Sequence, residues 1–340
     1  MKAIVMDGEP GKASLVTDRP YPKLRPGYIL VDVKAVALNP TDWKHIDKIN
    51  TKGCLVGCDC AGVVAETGTG YETPWKVGDR IAAFAHGGNS LQPEDGAFAE
   101  RVAVKADVQL HAPANMSFED AATLGVGVIT CGQGLFQKIG LSWPTEPSTK
   151  GEFVFIYGGS SATGGLGIQF AKLAGYRVIT TCSPRNFDLV KSIGAEAAFD
   201  YNDPEVTAKI NEYTGGNLYY VWDTISLPKT AKICSEVISS GGRYGAILGV
   251  EFPRKDVTTT MSMGYTVTGE PTDKPFFKSS NNEGDFEFMK KWVRAVDPLL
   301  AQGKLKVHPP KVGKGLEGVM EGLDLLRKDK VSGQKLVYTL

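Results

Sequence analysis

The chain of 340 residues has no excess of either charge: 38 Lys and Arg balance 38 Asp and Glu. Proteins that hold nucleic acid or a membrane surface carry a basic field, so neither partner is expected. No apolar run is long enough to cross a bilayer. Residues 1–6 enter a strand pattern directly, without the charged leader and apolar core of a signal peptide, so a cytoplasmic protein is expected. Histidine is scarce. His45, His86, His111 and His308 show no metal-ligating spacing, so packing or surface roles are expected. The cysteines, Cys54, Cys58, Cys60, Cys131, Cys182 and Cys234, crowd in one segment and scatter elsewhere. That pattern fits the free thiols of an intracellular enzyme better than a disulfide scaffold. Repeats and low-complexity tracts are also lacking.

What is present is an ordinary globular composition, 42% hydrophobic and 22% charged, long enough for two domains or one large one. Residues 1–110 read mostly as strands, with clear runs at 29–38 and 61–66 separated by Gly and Pro. A helical pattern covers 117–138, and the Pro-containing stretch 141–151 reads as a surface loop. From 152 to 270 strands and helices alternate as in a parallel doubly wound sheet. Its later strands are expected at 197–200, 219–223, 244–248 and 265–268. An amphipathic helix is expected at 286–301, and the tail returns to β at 335–338.

The most informative segment lies where that alternation starts. An apolar run, Phe153 to Tyr157, ends in Gly158, Gly159, Ser160, Ser161, Ala162, Thr163 and Gly164. A helical run and a second strand follow, making one βαβ unit. Small residues let the backbone approach a pyrophosphate, and a helix N-terminus offers unpaired N–H groups. The spacing Gly158-x-x-Ser161-x-x-Gly164 replaces one usual glycine with Ser, so the surrounding unit carries the reading as much as the turn does. At the end of the second strand an NAD site usually places an acid for the ribose 2′-hydroxyl. This chain has Ser183, Pro184, Arg185 and Asn186 there: no acid to repel a 2′-phosphate, and a hydroxyl, a guanidinium and an amide to bind one. The plainer alternative is a surface turn whose Arg points into water.

Four more segments bear on kinship: Asn39-Pro40-Thr41-Asp42, Gly57-Cys58-Asp59-Cys60-Ala61-Gly62-Val63-Val64, Val77-Gly78-Asp79-Arg80 and Gly96-Ala97-Phe98-Ala99-Glu100. Their order and spacing resemble the medium-chain dehydrogenase/reductase superfamily over nearly the whole chain. Within it, residues 181–189 and 331–337 are most similar to the zinc-free quinone and enoyl reductases, including fungal trans-acting enoyl reductases and yeast NADPH-linked aldehyde reductases. The resemblance implies an α/β protein: a GroES-like β domain, residues 1–125 and 273–340, with a Rossmann doubly wound parallel sheet, residues 126–272, inserted into it.

It also implies site residues. Zinc-dependent relatives supply Cys where this chain has Asn39, His where it has Cys58, and Cys or Asp where it has Val126, so no metal is expected. Asn39, Thr41 and Lys44 belong to the loop that faces the nicotinamide in the family. Lys44 is the expected electrophilic donor or proton source, with a solvated surface lysine as its plain alternative. Thr130 matches a threonine beside the nicotinamide or substrate, and its alternative is a helix residue bonding its own backbone. Tyr201 matches a position near the adenosine phosphate, and it reads equally as a half-buried aromatic at a strand end. Leu248 and Gly249 would lie against the nicotinamide half, and Val331 and Ser332 at the closing tail. The expected activity is an NADPH-dependent, zinc-independent reduction of an α,β-unsaturated carbonyl. Aldehyde, ketone or quinone reduction and a non-catalytic NADPH-binding protein are the alternatives. A small carbonyl or enoyl substrate, a polyketide synthase carrier domain and a monomer or homodimer complete the expectations.

Overall fold

The computed structural model describes residues 1–49, 51–68 and 73–340. In chain order the first elements are β1 (Ala3–Met6), β2 (Ala13–Val16), β3 (Tyr28–Ala37), α1 (Pro40–Lys48), β4 (Asp59–Thr67), β5 (Arg80–Phe84), β6 (Arg101–Lys105) and β7 (Leu110–His111). Short helices α2 (Phe118–Ala121) and α3 (Gly125–Cys131) follow. Next come β8 (Phe153–Tyr157), α4 (Ala162–Leu173), β9 (Arg177–Thr181), α5 (Phe187–Ser192), β10 (Ala197–Phe199) and α6 (Val206–Thr214). Then β11 (Tyr220–Asp223), α7 (Pro228–Val237), β12 (Arg243–Ala246) and β13 (Thr258–Met261) complete the alternation. The tail holds β14 (Thr272–Lys274), β15 (Phe277–Ser279), α8 (Glu283–Ala301), β16 (Pro310–Lys314), α9 (Val319–Arg327) and β17 (Lys335–Thr339).

Two compact units emerge, Met1–Val126 with Tyr265–Leu340, and Gly127–Gly264. In the first, strands run in the order β16-β17-β3-β4-β5-β7, with β6 also on β3. Strand β3 is the axis. Its near-continuous Val, Leu, Ile and Ala content suits a strand covered on both faces, and Ile29, Val31, Val36 and Ala37 are fully buried. The return of β17 onto β3 ties the tail to the N-terminal segment, with Val337 opposite Ala37. Helix α1 starts directly after β3 because Pro40 occupies its first position, where a missing N–H costs nothing.

The second unit is a parallel sheet in the order β10-β9-β8-β11-β12-β13. Strand order reverses between β8 and β11, which is where open α/β sheets bind ligands. Phe155, Ile179, Val221, Ile233 and Tyr244 build one face of its core. Trp222 fills the other: a Cβ on Gly134 or Gly167 would come within 2.5 or 2.6 Å of its ring, so those glycines make the room it occupies.

Three expectations need correction. Residues 265–268 do not form a sheet strand: Gly264–Thr268 is a 3-10 turn, and Tyr265, Thr266, Val267 and Thr268 are all buried. Their β-branched content imitates a strand, but they are enclosed on every side and Gly269, at φ 76°, ends the turn. The outer strand is β13, whose Thr-rich sequence lacks the apolar signal of its neighbours. The tail from Tyr265 onward belongs to the first unit, so the second crossing falls at 264/265 against the expected 272/273. Finally, the helical pattern of 117–138 is broken into α2, α3 and a π-helical stretch at Gly132–Lys138. Gly125, Gly127, Gly132 and Gly134 weaken α-propagation there, and their lack of side chains allows close packing.

Trp222→Ala should open a cavity that the rigid sheet cannot close, costing about 3–5 kcal/mol. Denaturant unfolding of the variant checks this, and a midpoint equal to the parent's would contradict the packing role.

Candidate functional site

The chain leaves β8 at Tyr157 and turns at Gly158, whose φ is 85°. The N–H groups of Gly158 and Gly159 bond back to Thr181 O at the end of β9, at 3.2 and 3.1 Å. A Cβ on Gly159 would sit 2.2 Å from Thr180 Oγ1, and one on Gly164 2.3 Å from Gly158 O, so neither position admits a side chain. Ser161 caps α4: its Oγ accepts from Gly164 N–H at 3.0 Å and lies 3.3 Å from Thr224 Oγ1. The N–H groups of Ala162 and Thr163, first in the helix, have no partner within it. Ser160 completes the turn. Close backbone, small side chains and the positive end of a twelve-residue helix make an anion cradle of the size a pyrophosphate requires. The residues present therefore fit a dinucleotide.

The ends of β9 and β10 meet beside this turn. Ser183 Oγ and Tyr201 OH are 2.9 Å apart, which makes one hydroxyl pair of two residues eighteen apart in sequence. Arg185 is exposed on the short turn Pro184–Asn186, and Asn186 is buried beneath it. Leu248 and Gly249 follow β12 in a partly exposed loop, and Thr130 is half-buried on α3. In the first unit, Val331 is half-buried and Ser332 exposed ahead of β17.

The first unit brings Asn39, Thr41 and Lys44 onto the start of α1. Lys44 is half-buried, and burial, then the neighbouring Lys48, lowers its pKa below that of an ordinary lysine. Asn39 enters a buried network. Lys335 Nζ donates to Asp59 Oδ2 at 2.5 Å, to Asn39 Oδ1 at 3.1 Å and to Thr123 O at 3.2 Å. Asp59 also accepts from Asn39 Nδ2 at 2.9 Å and, through its other oxygen, from Val126 N–H at 2.6 Å. Asp59 is fully buried and Lys335 4% exposed. Three residues on, in the first turn of α1, Asp42 accepts from Asn39 N–H at 2.7 Å, and burial pushes its carboxyl up to about 7. A second cluster lies close by: Thr41 Oγ1 is hydrogen-bonded to Tyr265 OH, which stands 2.9 Å from His45 Nε2.

Comparison with known proteins agrees with this architecture. A family model for the alcohol dehydrogenase GroES-like domain matches residues 25–114, and one for zinc-binding dehydrogenases matches 162–289. The trans-enoyl reductase resD of Aspergillus sclerotiorum is 46% identical over 99% of both chains. The chain belongs to the trans-enoyl reductase family. Trans-enoyl reductase TOXD of Cochliobolus carbonum is 52% identical over 79% of this chain and 91% of its own. Among solved structures, an alcohol dehydrogenase superfamily protein from Novosphingobium aromaticivorans superposes with a TM-score of 0.82 at 24% identity, covering 100% of this chain and 99% of that one, a likeness of fold. Membership makes the chain a medium-chain oxidoreductase built for a pyridine nucleotide.

Asn39, Cys58 and Val126 stand where the resemblance drawn from the sequence expects the metal ligands of zinc-dependent relatives. Here Asn39 and the backbone of Val126 instead serve the Asp59–Lys335 pair, and Cys58 is buried as a free thiol. Among the described residues no group of three His, Cys, Asp or Glu is arranged to hold a metal ion. Sequence reasoning missed Asp59, Lys335, Tyr265, His45 and Thr224. Lys335 had a signal: it shares the inward register of β17 with buried Val337, where a charge requires a partner. Tyr265 had none, because its contacts depend on a chain crossing between units.

Lys335→Met should strand a buried carboxylate and cost about 3–5 kcal/mol, whereas adding Asp59→Asn should recover part of that loss. Denaturant midpoints of the single and double variants check this. Equal midpoints would mean that the pair carries no coupling.

Proposed function

We propose that the protein is an NADPH-dependent, zinc-independent reductase of α,β-unsaturated carbonyls, acting on a small enoyl substrate presented by a polyketide synthase carrier domain. The observation that carries the cofactor reading is the phosphate turn beside the end of β9, where Ser183 to Asn186 include no acid. Ser183, Tyr201 and exposed Arg185 stand at the ends of β9 and β10, next to Gly158 and Ser161. A 2′-phosphate needs hydroxyls and a guanidinium there, and a carboxylate would repel it. Kinship with trans-enoyl reductases at 46% identity over the whole chain supports the enoyl substrate.

When bound, NADPH supplies a hydride to the β-carbon of the substrate. The chain's own task is to meet the negative charge that then grows on the carbonyl oxygen. Lys44 is the cation on the loop that the family aims at the nicotinamide. Its half-burial strengthens any charge it meets and lowers its pKa, which makes it a better proton donor than a solvated lysine. Thr130 adds a hydroxyl to the reacting end in this reading. Leu248, Gly249, Val331 and Ser332 are assigned to contacts with the cofactor. The two hydroxyls at the strand ends and Arg185 select the cofactor, and the cradle of Gly158 to Thr163 holds its pyrophosphate.

Affinity for NADPH should exceed that for NADH, and Arg185→Ala should weaken NADPH alone by about 1.5–3 kcal/mol, ten- to a hundredfold. Fluorescence titration of both cofactors decides. Equal affinities in the parent, or an unmoved NADPH constant in the variant, contradict the assignment.

The activity itself is tested by NADPH turnover, with a chelator present, against enals, 2-enoyl thioesters, aldehydes and quinones, with product analysis. Saturated carbonyl products are expected. At saturating NADPH, Lys44→Ala should slow single-turnover reduction by about 10²–10³-fold, the loss of one oxyanion donor, and leave NADPH binding intact. Unchanged chemistry in that variant would move the role to Thr130 or a backbone N–H.

A further inference from the structure

Lys44, the cation set above to meet charge on the substrate, is not held by a carboxylate. Among the described residues no hydrogen bond or ion pair engages its Nζ. Its close neighbour is a ring: Nζ stands 5.6 Å from the centre of the Trp43 indole. The guanidinium of Arg327, the last residue of α9, stands 5.7 Å from the same centre. Two cations therefore share one indole. Arg327 is itself fixed. Its Nε and one terminal nitrogen donate to the two oxygens of Asp47 at 3.2 and 2.9 Å, and its other terminal nitrogen pairs with Asp324. Asp47 lies four residues after Trp43, one turn along the same side of α1, so one guanidinium spans both. Trp43 is half-buried and packs on the core of the first unit. Its Nε1 is buried and has no hydrogen-bond partner among the described residues. Packing and Arg327 hold the ring, with no hydrogen bond of its own.

The kind of contact decides what an ammonium can still do. A carboxylate would take its protons in hydrogen bonds and cancel its charge. A ring face attracts the charge through its quadrupole and leaves that charge uncancelled. The ring also limits the conformers of a long side chain, which otherwise loses rotamer freedom only when the substrate arrives. Four charges surround this contact. Exposed Lys48, one turn further along α1, disfavours the charged amine, as burial does more strongly. Exposed Asp329, two residues past the end of α9, favours it. Arg327 and Asp47 are paired with each other.

We propose that Trp43 and Arg327 are positioning residues for Lys44: Arg327 fixes the indole of Trp43, and the indole face holds the Lys44 ammonium in one place without cancelling its charge. This deepens the reductase reading above and rests on it. A donor on a flexible four-carbon stem becomes preorganised only through such a support, and here the support comes from a second helix, α9.

Trp43→Leu keeps an apolar side chain and removes the ring face. With a 2-enoyl N-acetylcysteamine thioester at saturating NADPH, single-turnover reduction should slow about two- to thirtyfold, the span of one cation–π contact, with the NADPH dissociation constant within about twofold of the parent's. Trp43→Phe, which keeps a weaker face, should lose less. In a Lys44→Ala background Trp43→Leu should cost nothing further, because the ring acts only through the ammonium. The pH profile supplies a sign. A ring face favours the charged amine, so its removal lowers the Lys44 pKa, and the alkaline limb of the single-turnover profile should move down by about 0.4–1.5 pH units. Arg327→Met should reproduce part of the rate loss and move the indole ¹⁵N–¹H signal of Trp43. A parent-like rate and limb in Trp43→Leu, a further loss in the double variant, or a loss explained by weaker NADPH binding overturns the proposal. A cofactor-free readout stands beside these: the lysine side-chain NMR titration of Lys44, assigned by its absence in Lys44→Ala, should fall in midpoint in Trp43→Leu. If the parent reduces no enoyl thioester, the reductase reading falls while this titration still judges the support. An unmoved midpoint sinks it whatever the activity. If Trp43→Leu does not fold, Trp43→Phe supplies the same rate, limb and titration readouts, in the same directions.

Discussion

A lysine ammonium and an aspartate carboxylate, both out of water, face each other at 2.5 Å in the first unit, and each would be ruinous there without the other. Their remaining hydrogen bonds explain why four distant pieces of chain converge. Asn39 opens α1, Asp59 opens β4, Thr123 and Val126 flank the start of α3, and Lys335 opens β17. Each supplies a donor or acceptor that the others need. The start of α1 carries Thr41 and Lys44, which are proposed to face the nicotinamide, so the pair sets where those side chains can stand.

The second unit meets negative charge in a different way. Among the described residues no buried cation lies at the turn after β8. Instead, backbone N–H groups and a helix end provide partial positive charge, and glycine at 159 and 164 removes the side chains that would keep a ligand away. Hydroxyls from Thr180, Thr181 and Thr224 bind the turn to the neighbouring strand ends, so the cradle is shaped by the sheet and not by the loop alone. Asp223 serves the same end from beneath. Fully buried, it accepts from the N–H groups of Ile225 and Ser226 at 3.0 and 2.8 Å and from Tyr244 OH at 3.0 Å, which fixes the loop after β11.

The two units also differ in how they place polar groups. In the second, the candidate site residues other than Thr130 sit at or just beyond the C-terminal ends of parallel strands, a location the topology dictates. In the first, they sit on a helix start and on segments that return late in the chain. Tyr265 and Lys335 lie 224 and 296 residues from Thr41 and Asn39, the side chains they touch.

That difference marks what could be read from sequence. Period and composition were enough for the βαβ unit, the turn at Gly158 to Gly164 and the Ser183–Asn186 strand end, because those features are written in consecutive residues whose spacing follows local geometry, whereas the two-unit plan was implied by the family resemblance. The outer, partly exposed Thr-rich strand β13 was missed, and the enclosed turn Gly264–Thr268 was misread as a strand, since β-branched residues serve a strand and a packed turn equally well. The partners of Lys335, and the Thr41–Tyr265–His45 cluster, were decided only by tertiary structure. Side chains hundreds of residues apart pair by where the backbone brings them, and no local pattern records that a buried charge or hydroxyl has found its complement.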